Sequence, residues 1–137
     1  MPSKTLIDEQ ADTISTANWS EWDPYQYLTT YFSDESIGTD SIEAWKFLSR
    51  ELRNIDSMPC KILDFGSGPT LFGTIPCSAF ATEIHVSDYL QCNLDTIQSW
   101  IDNDADAFDW KNCIKEVLII EGNHCWTEDI LKRESEL

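Results

Sequence analysis

The sequence predicts an α/β fold of the doubly wound kind, with parallel strands and covering helices. Three observations carry this. The run Cys60-Lys61-Ile62-Leu63-Asp64-Phe65 is followed at once by the turn Gly66-Ser67-Gly68 and then by Pro69. A short apolar run bounded by glycine reads as a buried parallel strand, and proline suits the first helical position, where no backbone N–H is needed. A second run, Glu83-Ile84-His85-Val86-Ser87-Asp88, alternates polar and apolar residues and ends on an acid. Around both, apolar residues recur at helical spacing, as crossover connections between parallel strands require.

In chain order, residues 1–18 read as a polar leader and residues 19–137 as the folded domain. Asp23 is placed to cap a helix, with Pro24 at its first position. Over Tyr25–Phe32 helical spacing pairs Tyr27 with Tyr31 and Leu28 with Phe32. After a linker, Asp40 and Glu43 form a capping-box-like start to a second helix, whose stripe is Ile42, Trp45, Leu48, Leu52 and Ile55. Beyond the glycine turn, Leu71–Ala81 is expected to be the first crossover helix, weakened by Gly73 and by Pro76 to a short first turn and then a kink. Asn93 stands where it caps the next helix or serves a ligand, and Leu94, Ile97 and Ile101 give that helix its apolar stripe. Residues 102–106 form an acidic turn. Lys111–Ile120 looks helical, but Val117-Leu118-Ile119-Ile120 also fits a strand, and periodicity does not settle so short a stretch. A last helix starts at Thr127.

The glycine turn is the candidate site. Glycines let backbone approach a ligand, and a helix N-terminus beside them offers unpaired N–H donors; an ordinary tight turn is the bland alternative. A P-loop needs Gly-Lys-Ser/Thr, which the chain lacks. A dinucleotide fingerprint needs a third glycine where Leu71 stands. S-adenosylmethionine needs a cradle but no pyrophosphate site, and Asp64, two residues before Gly66, suits a cationic ligand better than a phosphate. Asp88 lies 22 positions after Gly66, near the spacing of about 20 for a ribose-binding acid. Its carboxylate is expected to accept both ribose hydroxyls, and at a strand end it is expected to matter little for stability without ligand; a helix cap for the following segment is the alternative role.

Composition bounds the function. Six Trp, six Phe and 42% hydrophobic residues describe a globular chain, and 137 residues suit one domain. The net charge of −16 disfavours nucleic acid and anionic membrane surfaces and suits neutral or cationic small molecules. Five cysteines without a Cys-x-x-Cys pair, and a polar stretch from Met1 to Gln10, point to the reducing cytoplasm. Two histidines, His85 and His124, lack partner spacing, so no metal site is expected.

Taken in order, Asp23-Pro24-Tyr25-Gln26-Tyr27-Leu28, Ile62 to Thr70, Val86-Ser87-Asp88-Tyr89 with Asn93-Leu94, Ala107-Phe108-Asp109-Trp110, and Glu121-Gly122-Asn123 resemble the nicotinamide, phenylethanolamine and indolethylamine N-methyltransferase family. The resemblance spans about Trp22 to Asn123. It implies a class I S-adenosylmethionine-dependent methyltransferase acting on the nitrogen of a small amine or pyridine, with this chain corresponding to the N-terminal half of the Rossmann-like fold and its two parallel strands. It implies cofactor contacts at Tyr27, at Gly66, Ser67 and Gly68, at Asp88 and Tyr89, and at Asn93. At Phe32 and Phe72 the family's contact residue is tyrosine, so the rings persist without their hydroxyls. No catalytic acid or base is identified. The resemblance implies helix over Lys111–Ile120. By the resemblance the amine site falls in a C-terminal half beyond these residues, and a gene fragment, a split protein whose partner chain supplies the rest, and a degenerate binding module all fit the sequence. Two rival readings are a non-catalytic S-adenosylmethionine-binding or regulatory module and a nicotinamide-dinucleotide-binding domain.

Overall fold

In the computed structural model, residues 18–33, 36–122, 129 and 132–134 are described. A 3-10 turn, Trp19–Glu21, precedes helix α1, Pro24–Phe32. Helix α2 spans Thr39–Arg53, strand β1 Cys60–Phe65, the one-turn helix α3 Thr74–Cys77, strand β2 Ala81–Ser87, helix α4 Gln91–Ile101 and helix α5 Lys111–Ile120. β1 and β2 pair in parallel, with Ile62 opposite Ile84 and Asp64 opposite Val86. This is the expected α/β architecture with two parallel strands. The stretch 1–17, and Thr127 at the expected start of the last helix, lie outside the described residues.

α1 forms where the caps dictate. The Asp23 carboxylate accepts from the N–H groups of Tyr25 and Gln26 at 2.9 and 3.1 Å, and Pro24 fills the first position. Such a cap contributes about 1 kcal/mol. α2 starts earlier than expected: Gly38 is its cap residue, and Asp40 sits inside the first turn without capping it. Its buried face holds Trp45, Ser49 and Leu52, whereas Ile55 lies past the helix end and is exposed. Along α4, Ile97 is buried but Ile101 is exposed, and Trp100 packs on the core instead.

The first crossover departs most from expectation. No helix begins at Pro69; the chain runs through turns to Thr74, and α3 closes after one turn with Pro76 inside it. A proline there removes one donor and bars extension. The glycine turn therefore has no helix N-terminus beside it.

The core gathers Leu28 and Phe32 of α1, Trp45 of α2, Leu71 and Ile75 of the crossover, Ile97 of α4, and Cys113, Ile114, Val117 and Leu118 of α5. It lies on one side of the sheet. On the other side β1 alternates outward, leaving Leu63 61% and Phe65 83% exposed. The expectation of a strand buried on both faces is thus corrected: no described helix covers this face. Beside it Glu83 pairs with Lys61 and with His85, each at 2.6 Å. No helix among the described residues is long and apolar enough to cross a membrane.

One ion pair ties the far end of the chain to the core. Arg133, itself buried, donates to both carboxylate oxygens of Glu121 at 3.2 and 2.6 Å and to the Ile75 carbonyl at 3.1 Å. Removing one member strands the other charge. Arg133→Ala should therefore lower stability by about 3–5 kcal/mol in urea denaturation; an unchanged midpoint would show that the pair does not hold the fold.

Candidate functional site

The glycine turn is built by the junction of the two strands. Gly66 and Gly68 adopt φ of 72° and 61°, the left-handed region that other residues enter at a cost of about 1–2 kcal/mol. An added Cβ would meet nothing within 4 Å at either position, so backbone conformation, not space, requires glycine. The Gly66 and Ser67 amides both donate to the Ser87 carbonyl, at 2.7 and 3.1 Å. The Gly68 amide donates to Asp88 Oδ2 at 2.9 Å. The three amides of the turn are thus committed inside the protein. The expectation of a helix end with unpaired N–H donors beside the turn is corrected, because no helix begins at Pro69.

Above the turn lies a cavity of about 410 Å³, lined by Trp22, Tyr27, Phe32, Gly66 to Thr70 and Phe72. Its volume falls within the roughly 300–1,000 Å³ of small-molecule sites. Aromatic rings form one continuous wall: Trp22 to Tyr27 at 5.2 Å, Tyr27 to Phe32 at 6.2 Å, Phe32 to Phe72 at 6.0 Å, and Phe72 stacked on Trp45 at 5.1 Å. Trp45 fixes the last contact by donating its indole N–H to the Phe72 carbonyl at 3.0 Å.

Asp88 sits beneath this cavity as a hub. Oδ1 accepts from the Leu90 amide and from Asn93 Nδ2, both at 2.8 Å, while Oδ2 accepts from Gly68. Burial pushes its pKa up, but the three hydrogen bonds outweigh burial and hold it below the ordinary 3.8. A carboxylate offers about four acceptor sites, so one remains, on Oδ2. The structure thus corrects the expectation that Asp88 is idle without ligand. Asn93 is no helix cap: it lies within α4, 4% exposed, and its Oδ1 accepts from Trp22 Nε1 at 2.8 Å.

The structure brings Tyr27, Phe32, Gly66, Ser67, Gly68 and Phe72 to one cavity, with Asp88 and Asn93 behind it. It does not bring Tyr89 or Asp64 there. Tyr89 is 90% exposed. Asp64 faces a separate small cavity of about 180 Å³ with Gly73, Thr74 and Cys77. Burial raises its pKa, and the 3.4 Å hydrogen bond from Thr74 offsets this only in part. Next to it Cys77 is pushed up to about 11 by burial, then by the charges of Asp64 and Cys60, which makes it a poor nucleophile. Trp22 was not singled out by sequence reasoning. It precedes the cap Asp23 and packs on Tyr27 at the fourth helical position, the pattern of a hydrophobic staple.

The sequence model of the NNMT/PNMT/TEMT family matches residues 10–136. The chain is similar to mouse (Mus musculus) indolethylamine N-methyltransferase, 32% identical over 79% of this chain and 43% of that protein. It is similar to human (Homo sapiens) nicotinamide N-methyltransferase, 29% identical over 84% of this chain and 45% of that one. Bovine (Bos taurus) phenylethanolamine N-methyltransferase is 28% identical over 84% of this chain and 42% of its own length. The chain thus spans less than half the length of these relatives.

Two outcomes follow for the carboxylates. Asp88→Ala should lower the stability of the ligand-free chain by about 0.5–2 kcal/mol, the range for a lost capping acceptor, measured by urea denaturation. Because its folded pKa is depressed, Asp88's contribution is present above 3.8 and is lost as pH falls through the lower folded value. Asp64 has the opposite sign, since a raised folded pKa stabilises at low pH and is lost as pH rises through it. Asp64→Asn should therefore raise Tm at neutral pH, with the gain vanishing below 3.8; a gain constant with pH would place its cause elsewhere.

Proposed function

The chain belongs to the NNMT/PNMT/TEMT family, and from that premise we propose that it is the cofactor-binding part of an S-adenosylmethionine-dependent N-methyltransferase for small amines or pyridines. The observation that supports this reading is the cavity of about 410 Å³: walled by aromatic rings, floored by a turn whose amides are already committed, and backed by a carboxylate. A pyrophosphate needs free N–H donors and no acid beneath them. The amides of Gly66, Ser67 and Gly68 are already bonded and an acid takes one of them, which weighs against a nicotinamide dinucleotide. A cation among aromatic rings is favourable, by roughly 0.5–2 kcal/mol per ring contact.

When bound, S-adenosylmethionine would supply a sulfonium methyl for in-line attack by an amine or pyridine nitrogen, the methyl–sulfur bond breaking to release S-adenosylhomocysteine. Tyr27, Phe32 and Phe72 would enclose it and exclude water. Gly66, Ser67 and Gly68 would bring backbone close, and the remaining Oδ2 acceptor of Asp88 would take one ribose hydroxyl. The second hydroxyl needs Oδ1 to release Leu90 or Asn93. No residue lining the cavity, among the described residues, carries a group that ionises near neutral pH. The protein's contribution is then orientation, worth several kcal/mol and at best roughly 7–11, with the amine held by residues outside these 137, on the same chain or a partner. Nothing in the charge of −16 favours nucleic acid or anionic lipid as a partner.

Calorimetric titration tests the reading. S-adenosylmethionine and S-adenosylhomocysteine should each bind and raise Tm by mass action, while NAD should not; the reverse ranking would sink it. Mass spectrometry with labelled methyl donor and a panel of amines separates enzyme from binding module. The 137 residues alone should give no turnover, and adding the C-terminal part of a relative should restore it. Binding without turnover under both conditions favours a non-catalytic module.

A further inference from the structure

Three contacts connect the N-terminal segment to the glycine turn. Trp22 Nε1 donates to Asn93 Oδ1, Asn93 Nδ2 donates to Asp88 Oδ1, and Asp88 Oδ2 accepts from the Gly68 amide, at 2.8, 2.8 and 2.9 Å. The middle member is buried, and Trp22 and Gly68 both line the cavity. The relay therefore runs behind the cavity and joins one of its walls to its floor. Seventy-one positions separate Trp22 from Asn93, so the indole is one point at which the N-terminal segment is fastened to α4.

We propose that Trp22 is a ligand-binding wall of this cavity and that Asn93 is the positioning residue that sets its orientation. This rests on the reading of the cavity as the S-adenosylmethionine site. The physical case has two parts. The staple onto Tyr27 fixes which side of α1 the indole lies on, at 5.2 Å between rings. The hydrogen bond to Asn93 then fixes its rotation, because an indole has a single donor. Both carbonyl and amide of Asn93 are engaged, so Asn93 orders its neighbours and leaves the ring of Trp22 to meet the ligand. A ligand that engages the open Oδ2 position of Asp88 adjoins the same relay, which makes the indole N–H a reporter of occupancy.

The test uses the 137-residue chain with ¹⁵N-labelled tryptophan, titrated with S-adenosylmethionine and with S-adenosylhomocysteine. Six tryptophans give six indole N–H signals, and the one absent in Trp22→Phe identifies Trp22. Asn93→Ala should move that signal in the free protein. In the wild type the Trp22 signal should shift most on ligand addition. By calorimetry Trp22→Phe, which keeps a ring and loses the donor, should weaken both ligands about threefold, and Trp22→Ala about tenfold or more. A merely structural tryptophan would not shift with ligand. Should Trp22→Ala fail to fold, Trp22→Phe and the wild-type signal decide. If the wild type binds the ligands while the Trp22 signal stays fixed and Trp22→Phe binds as tightly, this inference is overturned and the proposed function stands. If the wild type binds neither ligand, both are overturned.

Discussion

The site depends on one constraint: a backbone turn forced into the left-handed region must still satisfy its N–H groups. Gly66 and Gly68 supply the conformation, and the end of β2 supplies the acceptors, through the Ser87 carbonyl and the Asp88 carboxylate. Local sequence cannot do this alone, since the acceptors come from some twenty residues further along. Parallel pairing of β1 with β2 brings Phe65 opposite Ser87 and so delivers them. The floor of the cavity exists only when that register is correct. A register slip would break all three of these hydrogen bonds at once.

The aromatic wall rests on a different kind of order. Tyr27 and Phe32 come from α1, Phe72 from the crossover and Trp45 from α2, and each ring is in contact with the next. Ring pairs of this sort contribute about 0.5–1.5 kcal/mol beyond area burial. Phe32 and Phe72 lack the hydroxyl of a tyrosine, yet ring-to-ring packing needs only the apolar body.

Local rules made much of this legible. Asp23-Pro24 marked the start of α1; for Lys111–Ile120 periodicity left helix and strand open, the family resemblance favoured helix, and the structure has a helix there. The misses share a cause, which is tertiary choice. Pro69 permits a helix start but does not compel one, and Gly73 cannot gain a Cβ because the Asp64 carboxylate lies 2.9 Å from where it would be. Asp64 was read toward the ligand from its place beside Gly66, but alternation along β1 turns it to the same side as Ile62, into the space behind α3. Asp88 was legible as an acid at a strand end. Its three donors were not, because they converge from Gly68, Leu90 and Asn93 only in the folded chain.

The open face of β1 changes how this protein must be measured. Leu63 and Phe65 stand side by side on one side of a native strand, both largely exposed. An environment-sensitive dye that lights up on apolar surface has a docking place before any unfolding occurs. Its signal in the native state is then high, and a melting curve read from such a dye starts from a raised baseline that falls or flattens on heating. Dye fluorescence at low temperature is accordingly no evidence of a molten state for this chain. Heat capacity and the emission of the buried Trp45 and Trp110 report the loss of packing directly, since both rings leave the core only when it opens.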